Sequence, residues 1–156
     1  MILENEIRIS APPSKVWRIL CEFDGYDRWH PSRRLTGQAT AGAEVVVQME
    51  IGQSRQRRLR ARLAVVTPNQ ELAFDYVTFL SRSRETFLLE QSGGGTVLRH
   101  RIKLAGLAAL LLSMERFRKG LLSTYAATDR ALQKYAASST PAQARVQKHL
   151  RLRRRR

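Results

Sequence analysis

The stretch Leu107–Tyr135, LAALLLSMERFRKGLLSTYAATDRALQKY, decides the fold of this 156-residue chain. Its apolar and aromatic residues recur at steps of three and four, a spacing that places side chains on one face of a helix. A single helix over this stretch would be about 43 Å long. Because such a stripe has to be buried, we expect the preceding chain to wrap around it. The residues of the stripe are Leu107, Leu110, Leu111, Met114, Phe117, Leu121, Tyr125, Thr128, Leu132 and Tyr135.

Before this stretch the chain alternates apolar and polar residues with a period of two, as in strands with one buried face. Pro12-Pro13-Ser14 opens a first short helix, and Tyr26–Pro31 contains a second helical turn. We therefore predict an α+β fold, in which a curved antiparallel sheet of about seven strands wraps around a long C-terminal helix. The inward strand faces start with Ile7 and Ile9 and continue with Val45, Val47, Met49 and Ile51; Leu59, Ala61, Leu63 and Val65; Leu72, Phe74 and Tyr76; Glu85, Phe87 and Leu89; and Thr96, Leu98, His100, Ile102 and Leu104.

The glycines of Ser92–Gly95 predict a tight hairpin between the last two strands. If Gly93 and Gly94 form a two-residue loop, Glu85 lies opposite Ile102, and Phe87 lies opposite His100. The side chains of Glu85 and His100 are then diagonal neighbours within reach of each other. They form the one inward-facing titratable pair that this register produces.

The composition is that of a globular domain with a basic tail. Hydrophobic residues make up 43% of the chain and charged residues 26%, and 28 Lys and Arg against 13 Asp and Glu give a net charge of +15. We predict one domain over residues 1–138, followed by a basic tail over residues 139–156 that we expect to be disordered. Seven of the cations lie in the segment Arg145–Arg156, which holds no acid.

Several short motifs follow one another along the chain: Ile7-Arg8-Ile9-Ser10-Ala11-Pro12, Val16-Trp17, Tyr26, Trp29-His30-Pro31, Thr36-Gly37, Gly42, Pro68, Leu72, Phe87, Glu90 and Gly106. Taken in this order, they resemble the START-like, or Bet v 1-like (SRPBCC), superfamily, in its polyketide cyclase/dehydrase and lipid-transport group. The resemblance implies a helix-grip fold around an apolar cavity, and members that bind lipids, carry hydrophobic metabolites, or cyclise and dehydrate polyketides. Similar bacterial sequences often place His where Glu85 stands and Glu where Ile102 stands, so this chain departs from that pattern.

Glu85 and His100 are the main candidates for chemistry, because an acid beside an imidazole in an apolar pocket can orient a ligand or move a proton. The alternative is a buried pair that only satisfies its own hydrogen bonds. Trp29 either forms part of the cavity rim or plugs the core. The predicted ligand-binding residues are Trp29, Met49, Phe74, Tyr76, Glu85, Phe87, His100, Met114, Phe117 and Tyr125.

Several classes of site and location are disfavoured. The three histidines have no partner at helical spacing and Cys21 is the single cysteine, so we expect no metal site and no cofactor. Gly93–Gly95 lacks the following Lys-Ser or Lys-Thr of a phosphate loop. The longest apolar run, Leu104–Met114, is shorter than the roughly 20 residues that a membrane span needs. The N-terminal residues do not read as a signal peptide, and we expect a cytoplasmic location.

The sequence favours binding or transport of a small hydrophobic ligand, such as a lipid, a quinone or a polyketide-like aromatic, over catalysis. One alternative is a polyketide cyclase or dehydratase that uses Glu85 and His100 as acid and base. Another is an RNA- or ribosome-associated protein, or one that binds acidic lipid, through its Arg-rich surface and the tail Arg145–Arg156. The Arg-rich surface comprises Arg55, Arg57, Arg58, Arg60 and Arg62.

Overall fold

The computed structural model describes residues 1–51, 55–111 and 114–138. The predicted tail over residues 139–156 lies outside the described residues. The elements in chain order are β1 (Ile2–Ile9), α1 (Pro13–Cys21), a 3₁₀ helix (Phe23–Arg28), β2 (Arg33–Thr36), β3 (Glu44–Ile51), β4 (Arg55–Thr67), β5 (Glu71–Val77), β6 (Ser81–Ser92), β7 (Gly95–Gly106), α2 (Leu107–Leu111) and α3 (Glu115–Ser138).

The described strands form one seven-stranded antiparallel sheet in the order β1-β7-β6-β5-β4-β3-β2. The meander runs from β2 to β7, and β1 closes the sheet by pairing with β7. The curved sheet, the two short helices after β1 and the long C-terminal helix confirm the predicted architecture.

The hairpin between β6 and β7 has the predicted register. Ser92 pairs with Gly95, which places Glu85 opposite Ile102 and Phe87 opposite His100. Gly93 and Gly94 both have positive φ, 54° and 88°, as the two central residues of such a turn require.

The inward face of β4 differs from the prediction at its end. The pairing of β4 with β5 shifts by one residue between Leu63 and Val65, so Val66 packs against the core where strict alternation had assigned Val65. A β-bulge of this kind moves the following side chains to the opposite face.

The long C-terminal helix is confirmed, but it begins at Glu115 instead of Leu107, and the start of its apolar stripe is exposed where the sequence predicted burial. The structure has two helices, α2 and α3, and Met114 lies in a bend before α3. Met114 and Phe117 are 59% and 52% exposed, whereas Tyr125 and Leu132 are buried. Four of the six residues from 115 to 120 are charged, so this first turn and a half of α3 gains more from solvation than from burial.

Most of the buried apolar residues in the described part of the chain form two clusters. The larger one, called here the main core, joins α1, the 3₁₀ helix, most strands and the end of α3. The smaller one, called the outer cluster, consists of Leu3, Ile102, Leu104 and Tyr125, with Ala109, Leu121 and Leu122 packed against it.

Candidate functional site

A layer of buried polar side chains separates the main core from the outer cluster. Three elements pass from one cluster to the other, and in each of them a polar side chain lies between: the half-buried Asn5 in β1, and the buried His100 in β7 and Asp129 in α3, where Thr128 is also buried. The apolar neighbours on either side are Leu3 and Ile7, Ile102 and Leu98, and Tyr125 and Leu132. We call the polar residues at this level, together with those bonded to them, the polar layer.

His100 lies between two carboxylates. Its Nδ1 is 2.7 Å from Oδ1 of Asp129, and its Nε2 is 3.0 Å from Oε1 of Glu85. The Asn5 amide donates to the other oxygen of Asp129 over 2.6 Å. The sheet register places Asn5 directly opposite His100, so β1 and β7 bring both groups to the same residue of α3.

The second oxygen of Glu85 extends the layer towards solvent. Arg33 donates to it from Nη1 over 2.6 Å, and the Tyr76 hydroxyl donates to it over 3.0 Å. The Glu85 side chain is 1% exposed and that of Arg33 is 14% exposed, while Tyr76 is half-buried. The polar layer therefore extends from the fully buried Glu85 to the partly exposed Arg33.

Two aromatic rings fix the plane of the His100 imidazole. Phe87 stacks on it with ring centres 4.2 Å apart, and Tyr125 meets it edge-on at 4.5 Å. Ring contacts of this geometry hold an imidazole in one orientation, so both nitrogens stay directed at their carboxylates.

The charges of the layer shift its pKa values in opposite directions. Burial alone would lower the pKa of His100, but its hydrogen bonds to Asp129 and Glu85 and their negative charges raise it above the usual value. Burial alone would raise the pKa of Glu85, but the charge of Arg33 and the bond from His100 hold it well below the usual range. The pKa of Tyr76 is raised by burial and by the charge of Glu85.

This arrangement favours a protonated His100. Each ring nitrogen faces a carboxylate oxygen within 3.0 Å, and a neutral imidazole would turn a lone pair towards one of them. With His100 charged, two cations, Arg33 and His100, balance two anions, Glu85 and Asp129. Since both N–H groups are already donated, His100 has no free nitrogen with which to accept a proton from a ligand.

His30 supports the layer from the backbone. Its Nδ1 accepts the N–H groups of Ser32 and Arg33, at 3.2 and 3.1 Å, which fixes the entry into β2 and the start of the Arg33 side chain. Burial, together with the charge of Arg33, lowers the pKa of His30 to about 3. His30 is therefore neutral where His100 is charged.

The predicted site residues fall into three groups. Tyr76, Glu85, His100 and Tyr125 come together in or beside the polar layer, and Met49 pairs with Arg33 across β2 and β3. Trp29, Phe74 and Phe87 lie in the main core, and the indole N–H of Trp29 has no hydrogen-bond partner among the described residues. Met114 and Phe117 are exposed at the start of α3.

Sequence reasoning missed Arg33, Asp129 and Asn5, and two of them carried a signal. Asp129 is four residues from Tyr125 and three from Leu132, so it lies on the helical stripe where an acid is out of place. Asn5 alternates with Leu3 and Ile7 on the inward face of β1. Arg33 gave no such signal, because its position depends on how the chain enters β2.

A small pocket opens beside the polar layer. It has a volume of about 220 Å³, and both Arg33 and Met49 line it, together with His30 and Gln48. Within residues 1–51, 55–111 and 114–138, no group of three His, Cys, Asp or Glu residues is arranged to hold a metal ion. No helix in these ranges is long and apolar enough to cross a membrane.

Comparison with known protein families identifies the family of this chain. A family described as polyketide cyclase / dehydrase and lipid transport matches residues 2–137. The chain belongs to this family. The resemblance to the START-like, or Bet v 1-like (SRPBCC), superfamily is therefore confirmed. The sequence matches no curated protein.

Solved structures of other proteins share this fold. Protein MLL2253 from Mesorhizobium loti is 20% identical over 90% of this chain and 100% of that one, with a TM-score of 0.71. Ara h 8.0201 is 14% identical over 89% and 99% of the two chains, with a TM-score of 0.69. The di-domain ARO/CYC StfQ from the steffimycin biosynthetic pathway is 14% identical over 87% of this chain and 50% of that one, with a TM-score of 0.69. Likeness at these identities shows the shared fold alone.

Proposed function

We propose that this protein binds a small hydrophobic molecule between the sheet and α3, in the space lined by the outer cluster. The observation that carries the proposal is the polar layer beneath an incompletely covered apolar cluster. The polar layer borders the outer cluster on the side of the main core, and Leu107, Met114 and Phe117, in α2 and around the start of α3, are exposed. An apolar space with a few fixed polar groups at one end is the usual form of a small-molecule site.

The polar layer also suggests the chemistry of the ligand. Arg33 has five N–H donors, at least one of which bonds to Glu85, and its side chain is 14% exposed at a position paired with Met49. A ligand with an apolar body and one oxygen acceptor, such as a fatty acid, a quinone or a polyketide-like aromatic, matches this wall. The pocket of about 220 Å³ beside Arg33 and Met49 has room for the polar end of such a molecule.

The geometry favours binding over proton transfer. In the alternative of a cyclase or dehydratase, His100 or Glu85 would exchange a proton with the substrate. Both nitrogens of His100 and both oxygens of Glu85 already contact partners in the layer. The polar layer is therefore better suited to orienting a ligand than to exchanging a proton with it.

The prediction that Arg145–Arg156 binds nucleic acid or acidic lipid stays a prediction, because this segment lies outside the described residues. On the Arg-rich surface, Arg60 is paired with Glu44 at 3.3 Å, and Arg57, Arg58 and Arg62 are exposed.

A blocking variant tests the proposal. Leu121 packs against the outer cluster, so Leu121→Trp fills the proposed space, whereas Ala127→Trp adds the same ring on the exposed side of α3. Native mass spectrometry with a fatty acid and with a naphthol probe should show one molecule bound to the wild type and to Ala127→Trp. Leu121→Trp should bind at least about tenfold more weakly. Absence of uptake by the wild type, or equal uptake by both variants, would contradict the proposal.

A further inference from the structure

Among the described residues, several large apolar side chains are exposed near one end of the sheet, where the β5–β6 loop contacts α2 and where the chain continues into α3. Phe79 is 101% exposed and Leu80 is 58% exposed in the loop, and Leu107, Met114 and Phe117 are between 46% and 59% exposed on the helical side. We call these five residues the apolar tip. The other large apolar residues that are exposed in the described part of the chain are Met1, Ile2, Val77 and Leu110.

Backbone contacts join the parts of the apolar tip. The Leu107 N–H donates to the Leu80 carbonyl over 2.9 Å, directly after Gly106 has paired with Ser81. The Phe117 N–H donates to the Met114 carbonyl over 3.0 Å. Ala109 of α2 and Leu121 of α3 both pack on the outer cluster, which places the two helices at the same end of the molecule.

The surroundings of the apolar tip are strongly basic. Residues 77–82 and 103–119 contain five cations and one acid. That acid, Glu115, lies 3.4 Å from Lys119 and 4.0 Å from Arg118, so its charge is already compensated. The cations are Arg82, Lys103, Arg116, Arg118 and Lys119.

From this combination we infer that the apolar tip docks on an anionic lipid bilayer, with Phe79, Leu80 and Leu107 entering the headgroup region. Apolar side chains that project between cations gain from both the hydrocarbon boundary and the negative lipid headgroups. A protein with no membrane-crossing helix in its described part can lie on a membrane in this way.

Charge disfavours two other occupants of the apolar tip. A second copy of the chain would bring a net charge of +15 to a basic surface, and the segment Arg145–Arg156 would bring seven cations and no acid. The tip is built from a projecting loop and helix turns in which Phe79 is fully exposed. Such a shape suits insertion into a fluid surface better than fitting into a rigid protein partner.

Docking through the apolar tip would fix how the proposed ligand space is oriented on the membrane. The tip borders the outer cluster, where we propose that the ligand binds, so a docked molecule would turn its ligand space towards the bilayer. The inference itself stands on the exposed residues and the charges, and it does not depend on ligand binding.

A fluorescent variant reports insertion directly. Phe79→Trp in the full chain should give a blue-shifted emission with vesicles that contain about 30% phosphatidylglycerol, and no shift with vesicles of phosphatidylcholine alone. The shift should weaken as salt is raised, because screening reduces attraction to the headgroups. An emission that is unchanged by anionic vesicles would overturn the inference.

A charge-neutral double variant separates insertion from general electrostatic attraction. Phe79→Ser with Leu80→Ser leaves every charge in place, including those of the tail, yet it should weaken co-sedimentation with anionic vesicles at least about tenfold. The control is Leu88→Ser, a half-exposed position about 23 Å further along β6, which should bind like the wild type. Circular dichroism checks that each variant is folded.

Three results would overturn the docking inference: equal vesicle binding by the wild type and the double variant, no vesicle binding at all, or capture by an acidic protein without vesicle binding. Uptake of the naphthol probe by the double variant, measured without vesicles, keeps the two proposals separate. Retained uptake with lost docking supports the docking inference, whereas lost uptake in a wild type that still docks contradicts only the ligand proposal.

Discussion

Asp129 lies in the middle of α3 with no exposed surface, and it accepts hydrogen bonds from both Asn5 and His100. Removal of one partner from a buried ionic network leaves the other charge uncompensated. Asp129→Ala should therefore lower the free energy of unfolding by about 3–5 kcal/mol in urea titrations. Asp24→Ala, at an exposed position, is the matched control and should change it little. Equal effects of the two substitutions would contradict the network.

The two buried histidines should differ in charge at neutral pH. The pKa of His100 is raised by its carboxylate partners against the effect of burial, whereas burial and Arg33 lower the pKa of His30 to about 3. Nitrogen-15 NMR at pH 7.5 should show two protonated nitrogens in His100 and one in His30. A neutral His100 in that spectrum would rule out the charge balance proposed for the polar layer.

The sign of the pH dependence follows from the raised pKa of His100. Its charged form contributes stability that is fully present below the unfolded pKa of about 6.5. This contribution is lost as the pH rises through the higher pKa of the folded state. The stability difference between the wild type and His100→Gln should therefore shrink as the pH rises above 6.5. The lowered pKa of Glu85 acts in the opposite direction, and its contribution is lost in acid.

At the residue scale the sequence predicts the pair but not the network. Glu85 and His100 follow from the glycine hairpin, because a short loop sets which residues of two strands face each other. Asp129 and Arg33 are brought in by the packing of α3 and by the entry into β2, which short-range patterns do not specify. The sequence therefore predicts the two residues that one turn places near each other. It does not predict the residues that tertiary packing brings to them.

At the element scale, α3 has two functionally different halves. Its last turns pack Leu132 and Ala136 into the main core, and its first turns expose Phe117. Leu132→Ala should cost about 2–5 kcal/mol of unfolding free energy, as cavity-forming core substitutions do. Phe117→Ala should change that free energy by less than about 0.5 kcal/mol and should still weaken binding of the naphthol probe. Similar destabilisation by both substitutions would restore the fully buried stripe that the sequence suggested.

The helices and strands could be predicted from hydrophobic periodicity and from the glycine and proline residues between them, apart from two local irregularities. Alternation identified most strands, but it could not show the bulge in β4, where one extra residue exchanges Val65 for Val66 at the core. Helical spacing identified α3, but spacing alone does not show how many of its apolar residues are buried against other elements. The charged residues 115–120 were the signal that this part of the stripe stays exposed.

At the scale of the whole molecule, a polar layer divides the interior into a main core and an outer cluster. The fold could be predicted because motif order, periodicity and the family resemblance all agree. The division of the interior into a main core and an outer cluster could not be predicted, because it depends on which buried faces pack against each other. Ligand binding belongs to this scale, because the proposed space is formed jointly by β1, β7, α2 and α3.

Methyl NMR with a spin-labelled fatty acid tests ligand binding in the outer cluster most directly. A nitroxide near the middle of the acyl chain broadens the signals of methyl groups that lie close to it. We predict selective broadening of Leu3, Ile102, Leu104 and Leu121, while Leu20, Leu72 and Leu132 of the main core stay sharp. Uniform broadening, or none at saturating fatty acid, would contradict the account.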